Sequence, residues 1–260
     1  MDALTSLETA IRQRLDGEPD QAFAVLDFDN TCIVNDVGEA VLAFMCRNHL
    51  LKYGELLPSG SEPCGAAYHE RVFRHYYELM NQGDIRAASL LCARILAGFR
   101  REEAAALVAA TLDAEGTDPG EVELYGRRVA HGLAVRPVLR RLIELSAANN
   151  IQIWIVSASP AIAVEAAMQR FGLHGNLIAL QHRTRDGMLS PALDQPYSIA
   201  EGKVECIKTF IDGSQRPLFA VGDSVYDLPM VEYAELHAVV ERDNALTQVA
   251  RQRGWFVLPS

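Results

Sequence analysis

No stretch of this sequence carries the roughly 18 consecutive apolar residues that a bilayer-spanning helix needs, so no membrane span is expected. The opening residues, Met1-Asp-Ala-Leu-Thr-Ser-Leu-Glu-Thr9, lack the basic region and the apolar run of a secretion signal, which predicts a cytoplasmic protein. Cysteine is sparse. The five residues Cys32, Cys46, Cys64, Cys92 and Cys206 are odd in number and scattered, with no Cys-x-x-Cys pair. That spacing argues against a structural zinc site and fits reduced thiols in a reducing compartment. Positive charge is short as well. With 24 Lys and Arg against 34 Asp and Glu, the formal net charge is −10. Such a chain is not expected to hold nucleic acid through its phosphates, because that needs a basic surface. There is no internal repeat and no low-complexity tract. The 260 residues, 49% hydrophobic and 22% charged, have the composition of an ordinary globular enzyme. They suffice for one large domain, or for a core carrying an insertion.

Most of the chemistry is organised around Ala24-Val-Leu-Asp27-Phe-Asp29-Asn-Thr31. The apolar run from Ala22 to Leu26 reads as a short buried strand that delivers two carboxylates to its carboxyl end. Side chains two apart on an extended backbone point the same way, so Asp27 and Asp29 are expected to share one space, with Phe28 turned into the packing. Two carboxylates there are costly to keep charged unless something cationic sits between them. The arrangement calls for a metal ion, a reacting electrophile, or both.

Around this segment the pattern divides in two. Leu4, Leu7, Ile11 and Leu15 predict a helix over 3–15, ended by Gly17 and Pro19, and a second helix runs from Asp36 to about Leu50. A looser, Gly- and Pro-bearing stretch follows at 57–65. Residues 66–131 show no convincing strand, and helices are predicted over 66–81, 85–98, 101–113 and 121–131. From Val135 strand and helix alternate: strands are predicted at 151–156, 177–180, 218–221, 236–240 and 255–258, with a polar excursion through Asp186-Gly187. Alternation of this kind predicts an α/β fold with a Rossmann-like doubly wound parallel sheet, whose ligands bind beyond the carboxyl ends of its strands. Residues 1–35 and 133–260 are expected to form the core, and 36–132 an inserted all-helical cap.

Several polar residues fall at strand ends or helix starts. Asp27 and Asp29 close the first strand, Ser157 closes the strand at 151–156, Lys203 opens a helix, and Asp223 and Asp227 follow a later strand. Taken singly, each has a plain structural reading as a cap, a turn residue or a solvated lysine. Four carboxylates, a hydroxyl and an ammonium converging on one rim do not. Oxygen-only ligation with room for water and phosphate oxygens suits Mg²⁺.

The order Asp-x-Asp-x-Thr, strand-end Ser, Lys, then Gly-Asp-x-x-x-Asp resembles the haloacid dehalogenase superfamily, whose members are mostly phosphatases. A long insertion after the first motif resembles the cap of the subgroup that includes phosphoserine and phosphorylcholine phosphatases. The resemblance implies a Mg²⁺-dependent phosphomonoester hydrolase working through an aspartyl-phosphate on a small phosphorylated metabolite. Asp27 would attack phosphorus, and Asp29 would protonate the leaving alcohol and then deprotonate the attacking water. Thr31 and Ser157 would hydrogen-bond phosphoryl oxygens or orient the aspartates, and Lys203 would offset the charge of Asp27 and the phosphoryl group. Asp223 would bind Mg²⁺ with Asp27 and the main-chain carbonyl of Asp29, while Asp227 would bind through water or orient Lys203. Ser157 and Ala158 are expected to contact substrate. The chain departs from the phosphoserine phosphatase pattern at Tyr226, where that pattern has Asn.

Asp36, nine residues beyond Asp27, stands where phosphoserine phosphatases carry a substrate-contacting acid, and it equally fits the cap of the helix that starts at Val37. Tyr68, Phe73, Tyr76 and Tyr77 concentrate aromatics in one cap helix, to hold a quaternary ammonium or to pack helix on helix. Arg71, Arg74, Arg86 and Arg94 could clamp a carboxylate or phosphate. The leading expectation is a phosphomonoester with an amine-bearing leaving group, among them phosphoserine, phosphoethanolamine and phosphocholine. Its rivals are a phosphotransferase or phosphomutase on the same scaffold and a non-catalytic binding protein, which the complete motifs disfavour.

Overall fold

A computed structural model describes residues 2–15, 22–58 and 65–260; Gly17, Pro19, Cys64 and most of the Gly/Pro-bearing stretch lie outside the described residues. Helix α1 (Ala3–Leu15) buries Leu7 and Ile11 along one face. Strand β1 (Phe23–Leu26) is buried at all four positions, as expected of a strand covered on both faces. Ala24 and Leu26 enter one hydrophobic cluster, Phe23 and Val25 another. The chain leaves β1 through a tight turn over Phe28–Cys32, with Asn30 at a φ of 58°, into the two-residue strand β2 (Ile33–Val34).

Helix α2 (Val37–Arg47) starts on Asp36, whose side chain accepts the Glu39 N–H at 2.8 Å. Helices α3 (Ala66–Asn81), α4 (Ile85–Arg94) and α5 (Arg101–Glu115) follow, and all three pack against α2. The expected helix over 85–98 stops early for a physical reason. Gly98, at a φ of 84°, turns the chain so that its N–H reaches the Leu189 carbonyl at 2.9 Å, while Leu189 N–H reaches Phe99 at 2.7 Å.

Residues 121–131, expected as a helix, are instead an antiparallel hairpin of β3 (Gly120–Leu124) and β4 (Arg127–His131). Its turn residues, Tyr125 and Gly126, have φ of 52° and 74°, the two-residue turn whose twist matches paired strands. Val122 and Leu124 alternate with Glu121 and Glu123, a period of two, and Gly126 weakens a helix at that point. Among the described residues, 36–132 thus carry one hairpin beside their helices, where helices alone are expected. Strand β5 (Ala134–Val135) pairs antiparallel with β2, Ile33 opposite Val135, so the segment between them starts and ends at adjacent strands.

Helix α6 (Pro137–Ala148) carries Pro137 in its first turn, where the missing N–H costs nothing. Strand β6 (Gln152–Pro160), helix α7 (Ala161–Phe171) and strand β7 (Asn176–Leu180) follow. The polar excursion is a hairpin of β8 (His182–Arg185) and β9 (Met188–Leu193), closed by Asp186 and Gly187 at positive φ. Helix α8 (Gly202–Phe210), strand β10 (Phe219–Gly222), helix α9 (Leu228–Tyr233), strand β11 (Leu236–Val240), helix α10 (Ala245–Arg253) and strand β12 (Phe256–Leu258) complete the chain.

The six core strands form one parallel sheet in the order β12-β11-β10-β1-β6-β7. The winding reverses beside β1, which opens a crevice at the carboxyl ends of β1 and β10. Leu26 pairs with Val221 on one side and Ile155 on the other, so the residues just beyond them, Asp27, Asp223 and Ser157, emerge on one rim. Among the described residues no helix is long and apolar enough to cross a membrane.

Candidate active site

Lys203, in the first turn of α8, is the centre of the rim. Its Nζ donates to Asp27 Oδ1 and to Asp227 Oδ1, each at 2.6 Å. With 3% of its side chain exposed, the ammonium is dry, and only its two carboxylates make that burial tolerable. Burial lowers its pKa, but Asp227 and Asp27 together outweigh burial and the net shift is upward. Asp227 spends its other oxygen on Asp223 N–H, Ser224 N–H and the Ser224 hydroxyl, at 3.0 to 3.2 Å. Of the two tasks open to Asp227, its geometry is that of orienting Lys203. Gly222 makes room for this: a Cβ there would lie 2.4 Å from Asp227 Cβ. Gly222→Ala is therefore expected to destabilise the fold by about 1–3 kcal/mol through overpacking. Denaturant titration checks this, and an unchanged midpoint would show that the loop can give way.

Carboxylate oxygens of Asp27, Asp223 and Asp227 all lie within 4.8 Å of one another. Asp223 receives the Arg242 guanidinium at 2.8 Å and the Thr31 hydroxyl at 3.4 Å, so Thr31 contacts an aspartate. Burial, then Asp227 and Asp27, push the Asp223 carboxyl up to about 8. Burial and Asp227 push Asp27 up to about 7 against the opposing pull of Lys203. Lys203 and Arg242 thus leave these two carboxyls short of positive charge. An acidic, all-oxygen donor set of this kind fits a hard divalent cation such as Mg²⁺, which Asp27 and Asp223 would hold. The Asp29 side chain stands outside the cluster, so its expected share in metal binding falls to its main-chain carbonyl.

Asp29 faces a different set of partners. Its Oδ1 accepts Val37 N–H at 2.7 Å, and its Oδ2 accepts the Ser159 hydroxyl at 2.7 Å and the Ser157 hydroxyl at 3.2 Å. Burial, with Asp36 adding to it, pushes this carboxyl up to about 8, where it can carry a proton near neutral pH. The two aspartates border one cavity, yet one is tied to the cation cluster and the other to serines. Ser157 is fully buried beneath Asp29, its Oγ accepting Ser159 N–H at 3.0 Å and its carbonyl accepting the Ser198 hydroxyl at 2.5 Å.

The cavity holds about 520 Å³. Asp27, Asp29, Ala158, Ser159, Lys203 and Asp223 line its core side, and Asp36, Tyr76, Met80, Ile85, Ser89 and Cys92 line the side of the insertion. Asp36 caps α2 and faces this cavity at once; burial and Glu39 push its carboxyl up to about 7. Of the aromatic stripe only Tyr76 reaches the cavity. Tyr77 donates its hydroxyl to Glu39 and carries Arg127 on its ring at 3.8 Å, Phe73 packs on Tyr77 and Tyr125, and Tyr68 donates to the Tyr53 carbonyl. The stripe is helix packing, not a cage. Arg74 binds Glu70 and the Tyr125 carbonyl, Arg86 lies over Tyr197, Arg94 binds the Pro191 carbonyl, and none of these, nor Arg71, lines the cavity.

Three site residues escape a reading of the sequence. Ser159 looks like a cap before Pro160. Arg242 and Asn244 lie on the loop after β11, and Asn244 donates to the Asp223 carbonyl at 2.7 Å while capping α10. Asn244 was readable as a helix cap, but nothing local links it to Asp223; the adjacency of β10 and β11 does. Tyr226, standing where the related pattern has Asn, lines the cavity.

The model of the haloacid dehalogenase-like hydrolase family matches residues 24–232. Phosphorylcholine phosphatase of Pseudomonas aeruginosa is 24% identical over 249 residues, covering 78% of this chain and 68% of that protein. Phosphoserine phosphatase SerB1 of Mycobacterium tuberculosis is 23% identical over 237 residues, covering 90% of this chain and 69% of that protein. Among solved structures, a phospho-aspartyl intermediate analogue of phosphoserine phosphatase superposes with a TM-score of 0.51 at 15% identity, covering 85% of this chain and 86% of that one. The likeness in structure concerns the fold alone, but the family match spans both halves of the core and every motif from Asp27 to Asp227. This chain belongs to the haloacid dehalogenase-like hydrolase family.

Proposed function

We propose that the chain is a Mg²⁺-dependent phosphatase that hydrolyses a small phosphorylated metabolite through an aspartyl-phosphate on Asp27. The observation that carries this reading is the bridge of Lys203 between Asp27 and Asp227, with Asp29 held apart on two serines. Asp27 and Asp223 would hold the cation, which when bound would supply charge to stabilise the transferring phosphoryl oxygens. In the first half-reaction the free oxygen of Asp27 bonds to phosphorus as the ester P–O bond breaks. The bond electrons pass to the leaving oxygen, which takes the proton of Asp29. In the second, water gives a proton back to Asp29 and bonds to phosphorus, and the P–O bond to Asp27 breaks to restore the carboxylate. The sum is ester plus water to alcohol plus inorganic phosphate. Lys203 aims Asp27 and offsets negative charge on it and on the transferring phosphoryl group, and such positioning and charge stabilisation are where most of the catalysis of phosphoryl transfer lies.

The wall offered by residues 36–132, which we assign as a lid over the core, selects the leaving group. Among the described residues, it presents Asp36 and the Tyr76 ring to the cavity and no cation. The one guanidinium on the cavity wall, Arg242, is committed to Asp223. That wall suits an ammonium and offers a carboxylate no cation, which ranks phosphoethanolamine and phosphocholine above phosphoserine. Cys32, Cys46, Cys92 and Cys206 are free and buried, in keeping with a place in the reducing cytoplasm.

Phosphate release from a broad panel of phosphomonoesters, with Mg²⁺ and with EDTA, tests the reading. Release is expected to concentrate on amino-alcohol phosphates and to fall at least about 100-fold in EDTA, the scale of electrostatic stabilisation in such sites. Better turnover of sugar or nucleotide phosphates would overturn the leaving-group assignment. Release unaffected by EDTA would overturn the role of the metal, and phosphate passed to an added alcohol in place of water would make the enzyme a phosphotransferase.

A further inference from the structure

We infer that Ser159 is a positioning residue for Asp29, holding its carboxyl in the pose from which the leaving oxygen is protonated; the inference rests on the proposed function above. Ser157 and Ser159 are two apart on β6, so both hydroxyls face the turn that follows β1. They do not hold Asp29 equally. The Ser159 hydroxyl lies 2.7 Å from Asp29 Oδ2, within the range of a strong bond from a hydroxyl to a carboxylate. The Ser157 hydroxyl lies at 3.2 Å from the same oxygen, beyond the ordinary range for two oxygens.

Each hydroxyl has one proton to give. Ser157 is fully buried and does not line the cavity, whereas Ser159 lines it beside Asp29, so on the cavity side Asp29 is held most closely by the Ser159 hydroxyl and the Val37 N–H. A carboxyl so held keeps lone pairs on both oxygens, so a proton can still ride on it and leave toward the substrate. The surroundings are built around the Ser159 hydroxyl. Ser159 is 6% exposed, and a Cβ on Gly38, in the first turn of α2, would come within 2.8 Å of its Oγ. The backbone N–H of Ser159 meanwhile fixes Ser157 Oγ at 3.0 Å, which leaves the closer hold on the acid to the Ser159 hydroxyl.

Ser159→Ala removes the hydroxyl and keeps that backbone bond, so the sheet stays intact. The test compares kcat/KM on two esters. Phosphoethanolamine has an alkoxide leaving group that needs a proton; p-nitrophenyl phosphate leaves as a stable phenolate that does not. The variant is expected to lose about 10- to 100-fold on phosphoethanolamine, part of the 10²–10⁴-fold that a positioned proton donor contributes, and less than about threefold on p-nitrophenyl phosphate. Ser159→Cys, with a weaker donor of similar shape, is expected to fall between wild type and Ser159→Ala on phosphoethanolamine alone. Equal loss on both esters would place Ser159 on the phosphoryl group or in the fold, and no loss on phosphoethanolamine would leave it without a part in proton delivery; either overturns the inference while the phosphatase reading stands. A wild-type protein that turns over neither ester would overturn both.

Discussion

Asp27→Asn is expected to lower turnover by about 10⁴-fold or more while the protein stays folded, because an amide cannot form the phosphoryl bond that the carboxylate forms. The change is nearly isosteric. The amide oxygen can still accept from Lys203, which also keeps Asp227 at 2.6 Å, so the ammonium is not left alone. One negative charge also leaves a cluster in which burial and Asp227 already hold Asp27 up to about 7. Repulsion therefore falls as one ion pair is lost, and the two effects oppose each other in stability. Phosphate release measured beside a thermal melt separates the outcomes. Near-normal turnover would remove Asp27 from the role of nucleophile, and loss of folding would show that its charge is structural.

Lys203→Met is expected to fail in both respects. The side chain is nearly as long and can fill much of the same space in α8, but it removes the ammonium that Asp27 and Asp227 share. Asp27 and Asp227, 9% and 3% exposed in their side chains, would face each other without it. Removing one partner of a buried ion pair typically costs about 3–5 kcal/mol, because the other charge stays buried and unpaired. Here two charges lose their partner, so the melting transition should fall sharply and turnover should fall with it. Adding Asp227→Asn to Lys203→Met should recover part of the stability and none of the turnover, since it removes one orphaned charge without restoring the cation. A single variant as stable as wild type would show that water or a counter-ion reaches the site and that Lys203 is not the neutralising centre.

These effects explain which parts of the molecule were legible in the sequence. The strand into Asp27 and the later strands of the sheet were visible because a parallel sheet buries both faces and so writes near-continuous apolar runs. The residues that follow those runs, Asp27, Asp223 and Ser157, then had one place to go, the rim beyond the carboxyl ends. The hairpin over 120–131 was hidden, since its alternation covers only a few residues and helical neighbours surround it. The premature end of α4 at Arg94 is hidden because its cause, pairing of Gly98 and Phe99 with Leu189, lies about ninety residues further along the chain.

Within the site the same distinction holds. Asp27, Asp29, Lys203, Asp223 and Asp227 were found from their type and place in the order of motifs. Arg242 and Asn244 were not, as they reach Asp223 only through the adjacency of β10 and β11. Ser159 carries no signal of its own in the sequence, since Pro160 after it suits a helix start; β6 instead runs on to Pro160 and keeps both serines on one extended face. The aromatics of α3 could be read either way from sequence; their hydrogen bonds and edge contacts settle them as packing, with Tyr76 alone turned to the cavity.

The central claim is that phosphorus is transferred to Asp27, and it can be tested on the protein directly. The enzyme is mixed with phosphoethanolamine and Mg²⁺, quenched during turnover and reduced with borohydride, which converts an acyl phosphate of aspartate to homoserine; the peptide containing Asp27 is then sequenced by mass spectrometry. Homoserine at position 27, dependent on both substrate and Mg²⁺ and absent from Asp27→Asn, is the result the account predicts. Turnover with unmodified Asp27, or homoserine at another position, would contradict it.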